Sequence, residues 1–379
     1  MKNEGMTYRT LQGMKAFSFL ISLLLLAVSC SSSDETGEKQ PTMLTVYVYS
    51  PDRPMLIRSA SDEVNPSVEE SKITRLQIWI FENVTGNRVA YFDTKETSLL
   101  SAGEGATYKI PVSDDFAQRK PAVDVYVIAN LPEGGYGNTL NAESTPANVL
   151  AATIPEGYFG LSTLTTTVPD EGLPMAGKLE EQPVIGDSPV LRVGTTTNIA
   201  TVQLTRCVSK VRFAFANTTG SSDLYITGIT LDADMIPNTE YLIPRTPMET
   251  SGGYNATSVT LFSGSTNPVA SVANPTLYIY DEQNAQEYED LINGAGLTMV
   301  GPFYLRESDK QLSGTISYKI GEAGEVTNGV FTMNQAGEFS RNHTWIIYAY
   351  HLGGGFLEMN ALYLKNWTTK TVEHEIYNW

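Results

Sequence analysis

The stretch Thr42–Arg58, TMLTVYVYSPDRPMLIR, constrains this 379-residue chain more than any other. Leu44, Val46 and Val48 alternate with Thr45, Tyr47 and Tyr49, the period-two pattern of a half-buried strand rich in β-branched and aromatic residues. Pro51, Asp52 and Pro54 end that pattern. From Ser59 onward the run SASDEVNPSVEESK offers too little apolar surface to fold by itself. A core strand is therefore tethered to the rest of the chain by a polar segment that carries a basic site, Arg58-Ser59. A trypsin-like or Arg-specific protease cutting after Arg58 would release the strand. Its sheet would then have an open edge and an uncovered groove, which points to an assembly device and not to an active site. Arg53 is the poorer cleavage candidate because Pro54 follows it.

Upstream, Arg9 and Lys15 precede an apolar run from Ala16 to Val28, a secretory signal too short to span a membrane. Leu26-Ala27-Val28-Ser29-Cys30 resembles a bacterial lipobox, with Cys30 as the lipidated residue. The following Ser31-Ser32-Ser33-Asp34-Glu35 resembles the acidic tag of surface lipoproteins in the Bacteroidales. These features imply attachment to the outer membrane through lipid and exposure at the cell surface. The net charge of −17 argues against nucleic acid as a partner and against an electrostatically held membrane contact. With Cys30 lipidated, Cys207 is the one thiol left, so neither an intrachain disulfide nor a Cys-based metal site is expected. Cys207 lies within the strand pattern LTRCVSKVRFAF and reads as a small buried hydrophobe.

Strand patterns dominate the remainder. Ile73–Phe81 alternates, Val123–Asn130 is a more continuous apolar run suited to a central strand, and Thr107–Val112 is a weaker candidate between them. Thr145-Pro146 opens a short helix, Gly172–Gly177 reads as a loop, and strands follow at 190–193 and 198–204. The second half continues with strands near 208–215, 225–231, 275–280, 314–320, 329–333, 343–351 and 356–364, and one helix at 284–293. Many short strands with turns between them predict an all-β chain of two sandwiches in tandem with few short helices. The expected organisation is a signal peptide at 1–29, a propeptide with the removable strand at 30–58, one sandwich at 59–205 and a second at 206–379.

Taken in order, the lipobox, the first strand, Arg58-Ser59, ESKITRLQIWIF, VYVIAN, LPMAG, LTRCVSKVRF, SRNHTWIIYAYHL and LKNW resemble the FimA/Mfa fimbrillin family of the Bacteroidales across nearly the whole mature chain. The resemblance implies two transthyretin-like Greek-key β-sandwiches. It also implies a lipidated precursor cut by an Arg- or trypsin-like protease, here after Arg58, and a surface fimbria built with other fimbrial subunits, alike or mixed, by strand exchange. The tail Thr368–Trp379 is long enough to replace the lost strand. Val372 and Ile376 lie on one face with His374 between them, and Tyr377 and Trp379 lie on the other. The alternative for the same tail is an ordinary edge strand of its own domain.

Catalytic signals are weak beside this reading. His343 and His351 share one predicted strand but stand roughly 26 Å apart, so they cannot share a metal through it. Arg341-Asn342-His343 opens that strand, and His343 is expected to make structural hydrogen bonds. His374 between Glu373 and Glu375 sits in the tail and lacks ligands converging from other elements. Glu133-Gly134-Gly135-Tyr136-Gly137 opens no helix and reads as a turn. No cofactor and no enzymatic activity are expected. A monomeric surface lipoprotein that binds glycan is the alternative, given 20 Tyr and 4 Trp. If Cys30 is the acylated residue, Cys30→Ser should abolish metabolic fatty-acid labelling of the chain, and label persisting in that variant would rule out the lipobox.

Overall fold

The structure, a computed structural model, describes residues 40–50, 68–132, 140–155, 158–159, 166–219, 222–271, 297–332, 339–353, 357–366 and 369–373. The described residues are all-β apart from four short helices. Cys30, Arg58, Ser59, the turn at 133–137, the predicted strand at 275–280, the predicted helix at 284–293 and the tail residues His374, Ile376, Tyr377 and Trp379 lie outside them.

Two sheets enclose the first core. One contains β1 (Met43–Tyr49), β4 (Gly105–Pro111), β8 (Val184–Asp187), β9 (Val190–Val193) and β10 (Thr201–Gln203). The other runs β11 (Thr205–Arg206), β7 (Met175–Gln182), β5 (Val123–Ala129), β2 (Leu76–Glu82), β3 (Arg88–Thr94). Leu44, Val46 and Val48 of β1 meet Leu76, Ile78 and Ile80 of β2 and Val123, Val125 and Val127 of β5 in this core. The alternation that marks these segments in the sequence is therefore the physical reason they pair face to face.

A second pair of sheets surrounds Phe213, Phe215, Ile226, Ile229, Ile316 and Ile347. Its members are β17 (Thr298–Leu305), β12 (Ser209–Asn217), β20 (Thr344–His351), β21 (Leu357–Asn366) and β22 (Thr369–Glu373), facing β16 (Val259–Ser263), β13 (Leu224–Leu231), β18 (Ser313–Ile320) and β19 (Thr327–Thr332). A third apolar cluster covers the outer face of β2 and β5. Here Trp79, Phe81, Tyr126 and Ile128 pack with Cys207, Val208, Leu242, Ile243 and Tyr304. All seven residues of β2 are consequently buried, including Gln77 and Trp79, which alternate with the residues facing the first core. A three-stranded sheet spans the same region, with β6 (Thr153–Ile154) pairing β14 (Pro237–Tyr241) and β14 pairing β15 (Ser251–Tyr254).

The helix α4 (Pro146–Ala151) begins where the sequence places it, with Thr145 and Asn148 closing a reciprocal cap. The loop expected at Gly172–Gly177 is shorter than predicted, because Met175–Gly177 already belong to β7. Gly177 has a positional reason for its missing side chain, since a Cβ there would lie 2.8 Å from Val202 Cγ1 and closer still to the Gln203 carbonyl. The polar run after Ser59 also departs from expectation at its end: α1 (Val68–Ser71) is helical. The remaining helices are α2 (Ser98–Ser101) and α3 (Asp114–Arg119), the latter capped by Ser113. Leu44 is fully buried, so Leu44→Ala should destabilise the uncut chain by about 2–5 kcal/mol, measured as a lower midpoint in urea denaturation.

Candidate functional site

β1 sits inside its sheet and not at its edge. On one side it pairs antiparallel with β4 along its whole length, from Met43 opposite Pro111 to Tyr49 opposite Gly105. On the other side it runs parallel to two short strands in succession, Met43–Thr45 beside β9 and Tyr47–Tyr49 beside β10. Among the described strands, β4 pairs with β1 alone. The ends are fastened as well: Met43 N–H donates to the Pro189 carbonyl at 2.9 Å, Leu204 N–H to the Tyr49 carbonyl at 2.9 Å, and Gln203 Nε2 to the Ser50 carbonyl at 2.6 Å. Taking β1 out would therefore uncover three core positions and detach β4 from the rest of its sheet.

The solvent face of β1 is matched just as closely. The Tyr49 ring lies over Gly105, and a Cβ at Gly105 would stand 2.6 Å from Tyr49 Cδ1 and 2.9 Å from Cζ. Thr45, itself buried, stands in register with Lys109 on β4 and with Arg192 on β9.

Downstream of the 51–67 segment the chain is anchored twice. Glu70 in α1 is 1% exposed and pairs with Lys210 Nζ at 2.8 Å, itself 2% exposed. Tyr304 Oη donates to Glu70 at 2.7 Å, and Arg206 Nε donates to the Glu70 carbonyl at 3.1 Å. Burial pulls the Lys210 ammonium down to about 8, against the attraction of Glu70. Asn130, with φ of 60°, supplies the second anchor. Its Nδ2 donates to the carbonyls of Lys72 and Leu173 at 2.7 and 2.8 Å, and its Oδ1 accepts from Thr74 N–H at 2.9 Å. Residues 70–74 are thus held to both sandwiches whatever happens upstream.

A second buried ionic group lies beyond the third core. Arg341 pairs with Glu240 at 2.9 Å and Glu307 at 2.5 Å and donates to the carbonyls of Leu242 and Tyr241 at 2.9 and 2.7 Å. Desolvation holds the Glu240 carboxyl well above the ordinary range, opposed by Arg341. Although its own desolvation acts the other way, Arg341 is raised by Glu240 and Glu307. These contacts are structural, and the expectation for Arg341-Asn342-His343 agrees with them: His343 Nδ1 lies 2.7 Å from the Arg341 carbonyl, and Asn342 N–H donates to the Val208 carbonyl at 2.9 Å. His351 is buried, its pKa lowered by that burial, with Nδ1 3.4 Å from Asn217 Oδ1. Cys207 is wholly buried and its thiol is pushed up to about 12 by desolvation, so it is not a nucleophile at neutral pH.

Of the residues singled out in the sequence, Leu44, Val46 and Val48 converge in the first core. Val372 lies in β22, which pairs antiparallel with β21 and sets Val372 opposite Leu364. Up to Glu373 the tail is therefore an edge strand of its own sheet in the single chain. Sequence reasoning missed Glu70, Lys210, Tyr304 and Gly105. The strand pattern at Thr107–Val112 begins two residues after Gly105, and Glu70 lay inside a polar run with too little apolar surface to fold by itself.

No family model matches the chain, and no curated protein matches it. Solved structures do resemble it, at low sequence identity. One is a candidate cell adhesion protein from Parabacteroides distasonis ATCC 8503, matched over 86% of this chain and 97% of that one at 13% identity and a TM-score of 0.49. The tip fimbrial protein Mfa3 from Porphyromonas gingivalis, with a C-terminal truncation, is matched over 84% of this chain and 98% of that one at 15% identity and a TM-score of 0.45. A fimbrial assembly protein from Parabacteroides distasonis ATCC 8503 is matched over 88% of this chain and 100% of that one, at 15% identity and a TM-score of 0.45.

Glu70→Gln would remove the carboxylate that pairs with the buried Lys210 ammonium. It should cost about 3–5 kcal/mol in chemical denaturation, and Glu70→Leu combined with Lys210→Met should recover most of the loss.

Proposed function

We propose that this chain is a structural subunit of a cell-surface fimbria, exported as a precursor lipidated at Cys30, cut after Arg58 and polymerised by exchange of β1 for a strand of another subunit. The observation that carries this reading is the seat of β1. It fills three core positions and is the one strand pairing with β4 among those described, yet only a polar segment with a basic site joins it to the rest of the fold. Burial of Leu44, Val46 and Val48 at ~1.5–3 kcal/mol each means the cut subunit is short by roughly 5–9 kcal/mol until another strand enters. Glu70 and Asn130 fasten the chain just after the tether, so cleavage frees β1 without unseating β2.

The donor in this reading is the tail Thr368–Trp379 of a neighbouring subunit, with Val372, Ile376, Tyr377 and Trp379 as the side chains that fill the groove. Main-chain pairing supplies affinity and the pockets supply selection, as in other β-strand additions. A cleavable first strand and a tail long enough to act as donor together favour a stalk position over a tip or an anchor. The partners are then other fimbrial subunits, a trypsin-like or Arg-specific protease and, through lipid, the outer membrane. The role is adhesive and structural, not enzymatic.

The glycan-binding alternative has one feature in its favour, an open cleft of about 550 Å³ lined by Thr74, Arg75, Asp93, Lys95, Leu131 and Glu171 among others. Detergent gels run without heating separate the two readings. The unaltered chain should form a ladder, whereas Arg58→Ala and the chain lacking Thr368–Trp379 should each run as one folded monomer. A single band from the unaltered protein would support the glycan binder, and a ladder from the truncated chain would remove the tail as donor.

A further inference from the structure

The open cleft next to the Asn130 anchor, about 550 Å³, is lined by Thr74, Arg75, Asp93, Lys95, Leu131 and Glu171 among others. Small-molecule sites occupy ~300–1,000 Å³, so its size is that of a ligand site. A chain of hydrogen bonds fixes one part of the lining before any ligand arrives. Gln77, 2% exposed, donates from Nε2 to Tyr91 Oη at 2.7 Å, and Tyr91 Oη donates to Asp93 Oδ2 at 3.2 Å. Arg75 holds the same carboxylate through both oxygens, with Nε 2.8 Å from Oδ1 and Nη2 on Oδ2. That grip keeps the Asp93 carboxyl below the usual carboxylate range, and burial keeps the Tyr91 phenol above its own. Asp93 is therefore an acceptor locked in place, with both positions on Oδ2 taken and one on Oδ1 left. Thr74 Oγ1 donates to the Glu171 carbonyl at 2.8 Å and so fixes the backbone that carries the Glu171 carboxylate.

The charges of the lining select the class of ligand. It carries two cations, Arg75 and Lys95, and two anions, Asp93 and Glu171. Lys95 and Glu171 are exposed, and neither side chain forms an ion pair with a described residue. An anionic ligand would gain from both cations and be opposed by both carboxylates, and a cationic one the reverse. Neighbouring hydroxyls meet no such conflict, since each both donates and accepts. None of the described lining residues is aromatic, so a nucleobase has no ring to stack on, and the chain charge of −17 opposes phosphates. Leu131, 5% exposed, supplies an apolar surface for the C–H face of a sugar ring. We infer that this cleft binds a neutral saccharide, whose hydroxyls donate to Asp93 Oδ1 and the Glu171 carboxylate and accept from the Lys95 ammonium. The choice of a saccharide rests on the glycan-binding reading of the same cleft, yet a fimbrial subunit would carry the site too. Its lining residues fall between 74 and 171, apart from β1, Arg58 and the tail. With few contacts and no aromatic platform a single site binds on the order of 1 mM, and repetition along a polymer would strengthen attachment through avidity.

The full chain coupled to fluorescent beads, which makes weak sites multivalent without a polymer, is passed over immobilised oligosaccharides that are neutral or carry carboxylate or sulfate groups. Neutral sugars should retain the beads, and the retained sugar, titrated in solution by calorimetry, should bind with an affinity that changes less than about twofold as salt is raised. Asp93→Asn should weaken that affinity about tenfold, and Glu171→Gln and Lys95→Gln about threefold each. Asp187→Asn, on the other sheet of the first sandwich, should leave it unchanged. Glu171→Gln and Lys95→Gln alter exposed side chains, so their urea midpoints should match that of the unaltered chain and keep loss of binding apart from loss of fold. Retention by acidic sugars alone, retention by none, or a neutral sugar bound equally well by all three cleft variants would overturn the inference. Beads that hold no sugar, from a chain that still forms a ladder in unheated gels, would strike the cleft and leave strand exchange standing. Sugar binding that follows the cleft variants in a chain without a ladder would uphold the cleft and strike strand exchange.

Discussion

The hydrogen bonds between β1 and β4 are the constraint on which the first sandwich depends. β4 pairs with no other described strand, and the opposite edge of β1 is shared by β9 and β10, each matched over three residues. A strand in this position differs from an ordinary edge strand. Losing an edge strand exposes one ladder, whereas losing β1 separates two parts of a sheet and opens the core between them. The fold therefore requires a strand in this place, and β1 of the same chain fills it here.

In the proposed exchange the remainder of the fold has to survive the loss of β1, and the buried ionic contacts address that need. Glu70 lies within a few residues of the tether, and its countercharge comes from β12, on the other sandwich. Two charges taken out of water cost several kcal/mol each, so the pair contributes position more than net stability. It fixes where the chain re-enters the fold, and Asn130 repeats that constraint at Thr74. The Arg341 group ties β14 to the chain just after β17 and just before β20 by charge, while the third core packs residues of both halves of the chain together.

Much of this was legible in the sequence where one face of a strand is apolar and the other polar. β1, β12, β13, β18 and the cap of α4 lie close to where the period-two pattern and Thr145-Pro146 place them. The continuous burial of β2 was not legible, because the cover on its outer face comes from residues 207–208, 242–243 and 304, remote in sequence. β14, β15 and β17 escaped for a local reason: Pro237, Gly252-Gly253 and Gly301-Pro302 read as turns yet sit inside or beside paired strands. Glu70 and Lys210 stand 140 positions apart, and no local pattern announces such a pair. Gly105 follows Gly103 and Glu104 in what reads as a loop, and its role appears only when Tyr49 is placed opposite it.

Amide hydrogen exchange along β4 tests the central claim most directly, since these amides report whether a strand occupies the groove. Residues Ala106–Ile110 should be protected in the uncut chain, exchange rapidly in the isolated subunit from which β1 has been removed, and regain protection in assembled material that contains no β1 peptide. Protection that persists in the isolated subunit without β1, or fibres that retain β1 in place, would contradict the account.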